Sequence, residues 1–369
     1  MIWKEENIKK EIEIMKQLDH PNICKFHDYY FENNFIYIII ELLSGGDLLD
    51  EHYNHTGNNS EKAISKIISQ ILSGIHHLHT RNICHRDIKT ENILYKSENS
   101  DIVKIIDFGS AVEFSPNHPL TEKAGTAYYV APEVLKGDYN EKCDIWSCGI
   151  VLNILLTGIP PYTGDNEDEI KENIKKGGYD VFNNPKLSNI SSSAKELLHK
   201  MLISDPSLRP SALECLNNDW IKSCKEELDL STFINASKIM TNYKQKNLIE
   251  ILATKYLIHY LTLDEEMEEA TSLFQEIDSD KSGSITKEEL LLFLKKVYPN
   301  KTNAANDVEN IFKEVDIDGS GSIEFSEFVA MYIKGKQLIS EEMILKCFKA
   351  LDIVILFRIK MGKSQSSHY

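Results

Sequence analysis

Two short stretches, Asp278-Ser279-Asp280-Lys281-Ser282-Gly283 and Asp316-Ile317-Asp318-Gly319-Ser320-Gly321, repeat one design 38 residues apart. That period falls in the range of roughly 20–50 residues that marks repeated helix–loop–helix units. Each copy sets acids at loop positions 1 and 3, a hydroxyl at 5, glycine at 6, isoleucine at 8 and glutamate at 12. Glycine permits the sharp turn, alternate residues offer oxygens, and the closing glutamate offers two more. Such a set fits Ca²⁺, which takes about six to eight oxygen ligands. The candidate ligands are Asp278, Asp280, Ser282, Ser284, Thr286 and Glu289 in the first loop and Asp316, Asp318, Ser320, Ser322, Glu324 and Glu327 in the second. Ser284 and Ser322 would contribute backbone carbonyls.

This is the EF-hand pattern, and the flanking residues repeat with it. Phe274 and Ile277 precede the first loop at the offsets that Phe312 and Val315 keep before the second, so a paired lobe is expected. Ser282 and Ser320 stand where many such loops carry Asp or Asn, which lowers the ligand charge. Glu324 at position 9, against Thr286, gives the second loop more negative charge and predicts tighter calcium binding there. A third copy begins with Phe348 and Leu351 at the same offsets before Asp352, but Ile353 to Phe357 replace the ligands with apolar groups. A repeat that diverged, or was cut or mis-spliced, is the expectation for residues 336–369.

The second constraint is His85-Arg86-Asp87-Ile88-Lys89-Thr90-Glu91-Asn92, followed by Asp107-Phe108-Gly109. Moving a phosphoryl group needs a carboxylate near the attacking hydroxyl, a cation near the transferred phosphate and oxygen ligands that fix Mg²⁺. Asp87, Lys89, Asn92 and Asp107 supply these groups in that order.

Periodicity orders the rest. Glu5 to Leu18 reads as a helix stopped by Asp19-His20-Pro21-Asn22, and Phe26–Tyr30 with Phe35–Ile40 reads as a hairpin. Helices are expected over 60–80, 144–157, 192–203 and 211–220, and a long ordered loop over 110–130. Phe233 to Leu263, with Leu248, Ile251, Leu252 and Tyr256 on one face, reads as a helical connector. A formal charge of −16 argues against nucleic acid or an anionic membrane as main partner, since both need a clustered basic face. No apolar run approaches the roughly 18 residues of a membrane span. Seven cysteines without a framework of short spacings read as reduced thiols in a cytosolic or nuclear protein, with the cytoplasm the expected location. His76, His77 and His79 lack a completing ligand set and read as packing residues.

With both motif sets in one order, residues 11 to about 351 resemble the calcium-dependent protein kinases of plants and protists. Asp19-His20-Pro21-Asn22-Ile23, Gly125-Thr126, Ala131-Pro132-Glu133, Asp144-Ile145-Trp146-Ser147-Cys148-Gly149 and Arg209 add to the resemblance. It implies a mainly α chain. A protein-kinase fold (α+β) without the first strands of its N-lobe occupies 1–221, an autoregulatory junction 222–263 and an EF-hand pair 264–335. It also implies transfer of the ATP γ-phosphate to protein serine or threonine. Asp87 would orient the hydroxyl, Lys89 would steady the phosphate, and Asn92 and Asp107 would hold Mg²⁺. Glu41 would mark the hinge at the nucleotide after Ile40, and Glu133 would pair with Arg209. Asp47 resembles the residue near the ribose, while a carboxylate after Gly45-Gly46 equally suits a helix cap. Glu122 is expected to pair with Arg86 and order the loop without phosphorylation. The junction helix, bound by the EF-hands within one chain, and a monomer complete the expectation.

The family's glycine-rich ATP roof and its V-A-I-K lysine find no match, because the first glycine is Gly45 and only ten residues precede Glu11. The expectation is therefore an incomplete chain with little or no turnover by itself. The competing reading is a catalytically dead calcium-binding interaction protein. Intact Asp87, Asn92 and Asp107 favour the kinase.

Overall fold

The helix Glu61–Thr80 is the axis of the first of two bodies. Ile64, Ile67, Ile68, Ile71, Leu72, Ile75 and Leu78 are all buried, and Ser60 starts the helix by accepting a hydrogen bond from the Ala63 amide. The computed structural model describes residues 2–32, 35–50, 60–98, 100–115, 118–224, 228–244 and 264–336. The chain divides into two bodies at 227/228, each described by itself.

In the first body the helix Lys142–Thr157 is buried from Cys143 to Leu155, apolar nearly all round, as an interior helix must be. It ends at Gly158, whose φ of 78° suits a residue without a Cβ. Ile2–Lys16 forms the first helix, and Phe26–Glu32 pairs antiparallel with Phe35–Ile40, Tyr30 facing Tyr37 and Glu32 facing Phe35. Two smaller ribbons matter more for function. Ile83–Cys84 pairs with Val112–Glu113, and Ile93–Tyr95 pairs with Val103–Ile105. Residues 85–92 join the first strands of these ribbons, and residues 106–111 join their partners, so pairing alone sets His85–Asn92 beside Asp107–Gly109.

Two features depart from the sequence reading. The helix expected over 211–220 is two, Ala212–Leu216 and Asp219–Cys224. The first is opened by a capping box between Ser211 and Glu214 and ends at Asn217, and Asn218 accepts from the Trp220 amide at 2.9 Å to start the second. Helices Pro132–Lys136 and Glu167–Lys176 also form. The former is too short to show a period, and the latter buries only Ile170 and Ile174.

In the second body, helices Asp264–Ile277, Lys287–Val297, Ala304–Val315 and Phe325–Gly335 close around Phe274, Leu290, Ile311 and Phe328. The helix Leu230–Asn242, capped by Asp229, belongs to the same core through Phe233, Ala236 and Met240. Phe233 meets Phe293 edge-on at 5.8 Å between centroids, and Lys296 Nζ lies 5.0 Å above the Phe233 ring. Each large apolar side chain buried this way contributes about 1.5–3 kcal/mol. Leu248, Ile251, Leu252 and Tyr256 of the expected connector, and the third repeat from 337 on, lie outside the described residues. Among the described residues no helix is long and apolar enough to cross a membrane.

Candidate active site and calcium loops

Asp87 stands at the centre of a short network. Its Oδ2 accepts from Lys89 Nζ at 2.7 Å and from Asn92 Nδ2 at 3.3 Å, and its Oδ1 accepts from the Thr126 hydroxyl at 2.8 Å. Lys89 Nζ also reaches Thr126 Oγ1 at 3.2 Å. Burial pushes the Asp87 carboxyl up, but the bonds from Lys89 and Thr126 outweigh it and hold the group below the usual carboxylate range. The carboxylate is thus kept ionised and aimed, as an acceptor for a hydroxyl proton needs to be.

The loop carrying Asp87 is pinned from beneath by Asp144, fully buried in the first turn of the Lys142–Thr157 helix. Its oxygens accept from the amides of His85 at 2.9 Å and Arg86 at 2.8 Å and meet His79 Nε2 at 2.9 Å. Burial pushes the Asp144 carboxyl up, yet His79, and then His85 with its amide, bring it below its ordinary value. His85 Nδ1 accepts from the Asp87 amide at 3.3 Å, and Nε2 meets the Ile106 carbonyl at 3.1 Å, which fits a neutral ring protonated on Nε2. Arg86 adopts φ 68° and Asp107 φ 61°, left-handed conformations uncommon outside glycine. They persist because the surrounding bonds over-determine them.

Asp107 turns its Oδ1 to the Gly109 amide at 3.1 Å. Glu11 comes to the same place, since a Cβ on Gly109 would lie 3.7 Å from Glu11 Oε2 and 3.2 Å from Asp107 Oδ1. Burial, and then the charge of Asp107, push the Glu11 carboxyl above its usual range. Two carboxylates so placed disfavour each other's charge. Asn92, whose Nδ2 donates to the Asp87 carbonyl at 2.9 Å, and Asp107 are joined through the ribbon by the Ile106 amide, which donates to the Asn92 carbonyl at 2.9 Å.

Farther out, the Glu41 carboxylate is held by Lys104 at 2.8 Å and accepts from the Lys25 amide at 3.2 Å, so its side chain is committed to the protein. Asp47 Oδ1 accepts from the amides of Leu49 at 3.1 Å and Asp50 at 3.0 Å, the helix-capping geometry. Arg86 Nη1 reaches Glu122 Oε2 at 3.1 Å, and Arg209 forks onto Glu133 at 2.5 and 3.1 Å, as the sequence reading expects of both pairs. Asp144 figures in that reading only as part of a motif match, Thr126 likewise, and Tyr139 not at all.

In the second body Asp278, Asp280 and Glu289 bring carboxylate oxygens within 4.8 Å of one another, and Asp316, Asp318 and Glu327 do the same. Glu289 is set by its own loop, accepting from the amides of Ser279 at 2.8 Å and Thr286 at 2.9 Å. Glu327 repeats the arrangement with Ile317 at 2.9 Å and Glu324 at 3.1 Å. Gly283 (φ 86°) and Gly321 (φ 85°) make the turns at position 6. Ser284–Ile285 pairs with Ile323–Glu324, Ile285 opposite Ile323, and couples the loops. Ser320 Oγ lies 3.5 Å from Asp316 Oδ1 and donates to the Ser322 carbonyl at 2.9 Å. The converging hard oxygens fit Ca²⁺.

Comparison with known proteins agrees. The protein kinase domain family matches residues 2–221, and the EF-hand domain pair matches residues 267–333. Calcium-dependent protein kinase 4 of Plasmodium falciparum (isolate 3D7) is 38% identical over 362 residues, covering 94% of this chain and 68% of the relative. The Plasmodium berghei (strain Anka) protein of the same name is 37% identical with the same coverage. Calcium-dependent protein kinase 5 of Plasmodium berghei (strain Anka) is 43% identical over 247 residues, covering 67% of this chain and 40% of the relative. A kinase domain and an EF-hand pair in one chain, with identity running through both, place this protein among the calcium-dependent protein kinases, a family of calcium-regulated serine/threonine kinases.

Proposed function

We propose that Asp87 accepts the proton of a protein serine or threonine hydroxyl as that oxygen attacks the γ-phosphorus of ATP and ADP leaves. The observation that carries this reading is the Asp87 carboxylate, ionised and fixed between Lys89 and Thr126. Lys89 offsets charge on the transferred group, and Thr126 holds the carboxylate in the orientation that meets the hydroxyl. Asn92 and Asp107 would hold Mg²⁺, which when bound neutralises the phosphates. The backbone at Glu41 would meet the adenine. Asp47, with one oxygen already capping a helix, is assigned to the ribose only through its second oxygen.

Asp278, Asp280, Ser282, Ser284, Thr286 and Glu289 would hold one Ca²⁺, and Asp316, Asp318, Ser320, Ser322, Glu324 and Glu327 a second. Calcium would strengthen the lobe's hold on the Leu230–Asn242 helix, whose apolar face already shares its core, and so free the catalytic site. Scattered cysteines suit a reducing, cytoplasmic setting. The test is transfer of labelled phosphate from ATP to a basic serine peptide. Transfer should fall by a factor on the order of 10²–10⁴ in Asp87→Asn. Equal transfer by that variant contradicts the assignment.

A further inference from the structure

We infer that Tyr139 is a positioning residue for phosphoryl transfer, the clamp that holds the segment bearing Thr126 on the catalytic loop; the inference rests on the kinase reading above. Tyr139 is buried, 3% exposed, just past the Pro132–Lys136 helix. Its backbone exchanges two hydrogen bonds with Leu120, the Leu120 amide to its carbonyl at 2.8 Å and its own amide to the Leu120 carbonyl at 3.1 Å. Its phenol donates to the Glu122 carbonyl at 2.5 Å and accepts from Arg86 Nη1 at 3.3 Å. One side chain and its backbone thus tie residues 120 and 122 to the arginine next to Asp87.

The neighbouring backbone is shaped to allow this. Gly137 turns with φ 79°, and a Cβ there would lie 3.3 Å from the Thr121 carbonyl. Gly125 passes so close that a Cβ would lie 2.8 Å from the Arg86 carbonyl. The segment is therefore held at 120–122 and 125, and Thr126 follows directly onto Asp87 Oδ1.

The alternative organiser is the Glu122 carboxylate on Arg86. Its side chain is 76% exposed, whereas Arg86 is 9% exposed. Solvent-screened pairs contribute little. A buried hydroxyl bridging a carbonyl and a guanidinium contributes more, and leaving those partners unsatisfied costs more again. The phenol, not the carboxylate, carries the order of the segment.

Tyr139→Phe deletes one oxygen and keeps the ring in the core, so the fold is retained. Hydrogen exchange on the full chain, without nucleotide, should show the amides of 120–126 exchanging roughly five- to tenfold faster in this variant, and about twofold or less in Glu122→Ala. In the kinase assay kcat should fall with the KM for ATP unchanged. Unchanged exchange in Tyr139→Phe, or a larger effect of Glu122→Ala, overturns the inference. Faster exchange with no phosphate transfer by the unaltered chain would count against the kinase reading while leaving the clamp standing.

Discussion

Thr126 and Lys89 hold opposite oxygens of Asp87, the hydroxyl at 2.8 Å on Oδ1 and the ammonium at 2.7 Å on Oδ2. Both bonds favour the charged carboxylate. Thr126→Val removes one, so the Asp87 carboxyl rises toward its ordinary range. The acid limb of the pH–rate profile should shift to higher pH, and kcat should fall roughly tenfold for one lost bond to a charged group. An unmoved acid limb, in steady-state assays from pH 5 to 8, contradicts the arrangement.

Arg209 is 1% exposed and is satisfied by Glu133, by the Ile203 carbonyl at 2.9 and 3.1 Å and by the Lys142 carbonyl at 2.8 Å. Glu133→Gln leaves a buried guanidinium without its counter-charge. Breaking such a pair costs about 3–5 kcal/mol, and the remaining carbonyls place this case near 3 kcal/mol. Urea denaturation of the variant measures it, and a loss under 1 kcal/mol would show that the carbonyls suffice.

His85 is buried, and burial lowers its pKa. The unfolded imidazole, with an ordinary value of about 6.5, then takes a proton that the folded ring refuses. This contribution to stability is full above about pH 6.5 and is lost progressively as pH falls below it. The melting temperature should drop between pH 7.5 and 5.5, and less in His85→Asn. Equal slopes in the two proteins would refute the assignment.

In the calcium loops the charge at Glu324, at the position where the first loop carries Thr286, favours the Asp316 loop. Calorimetry should find that Glu289→Gln, which leaves that loop intact, binds calcium more tightly than Glu327→Gln. The reverse order would show that loop rigidity outweighs charge.

What the sequence makes legible is whatever its own spacing fixes. Helical period marks the Glu61–Thr80 helix to within a residue. The short polar turn marks the Phe26–Glu32 and Phe35–Ile40 hairpin. Alternation within one loop places Asp278, Asp280 and Glu289 together. Contacts made across the fold are not readable this way. Asp144 reaches His85 from 59 positions away, and Tyr139 reaches Arg86 from 53, so neither leaves a local pattern. The pairs Glu133–Arg209 and Arg86–Glu122 are anticipated only because a family resemblance supplies the distant partner. The break near Asn217 is hidden because both halves of the stretch are apolar at helical spacing; it falls where Asn217 ends the first helix and the Asn218 side chain starts the second.

On the function proposed above, calcium on the second body controls phosphoryl transfer on the first. The most direct test is the rate of phosphate transfer to a basic serine peptide, with calcium and with a calcium chelator, in the unaltered protein and in Glu289→Gln/Glu327→Gln. The rate should rise with calcium in the unaltered protein and stay at the chelated level in the double variant. A rate independent of calcium, or a double variant that still responds, would contradict that control.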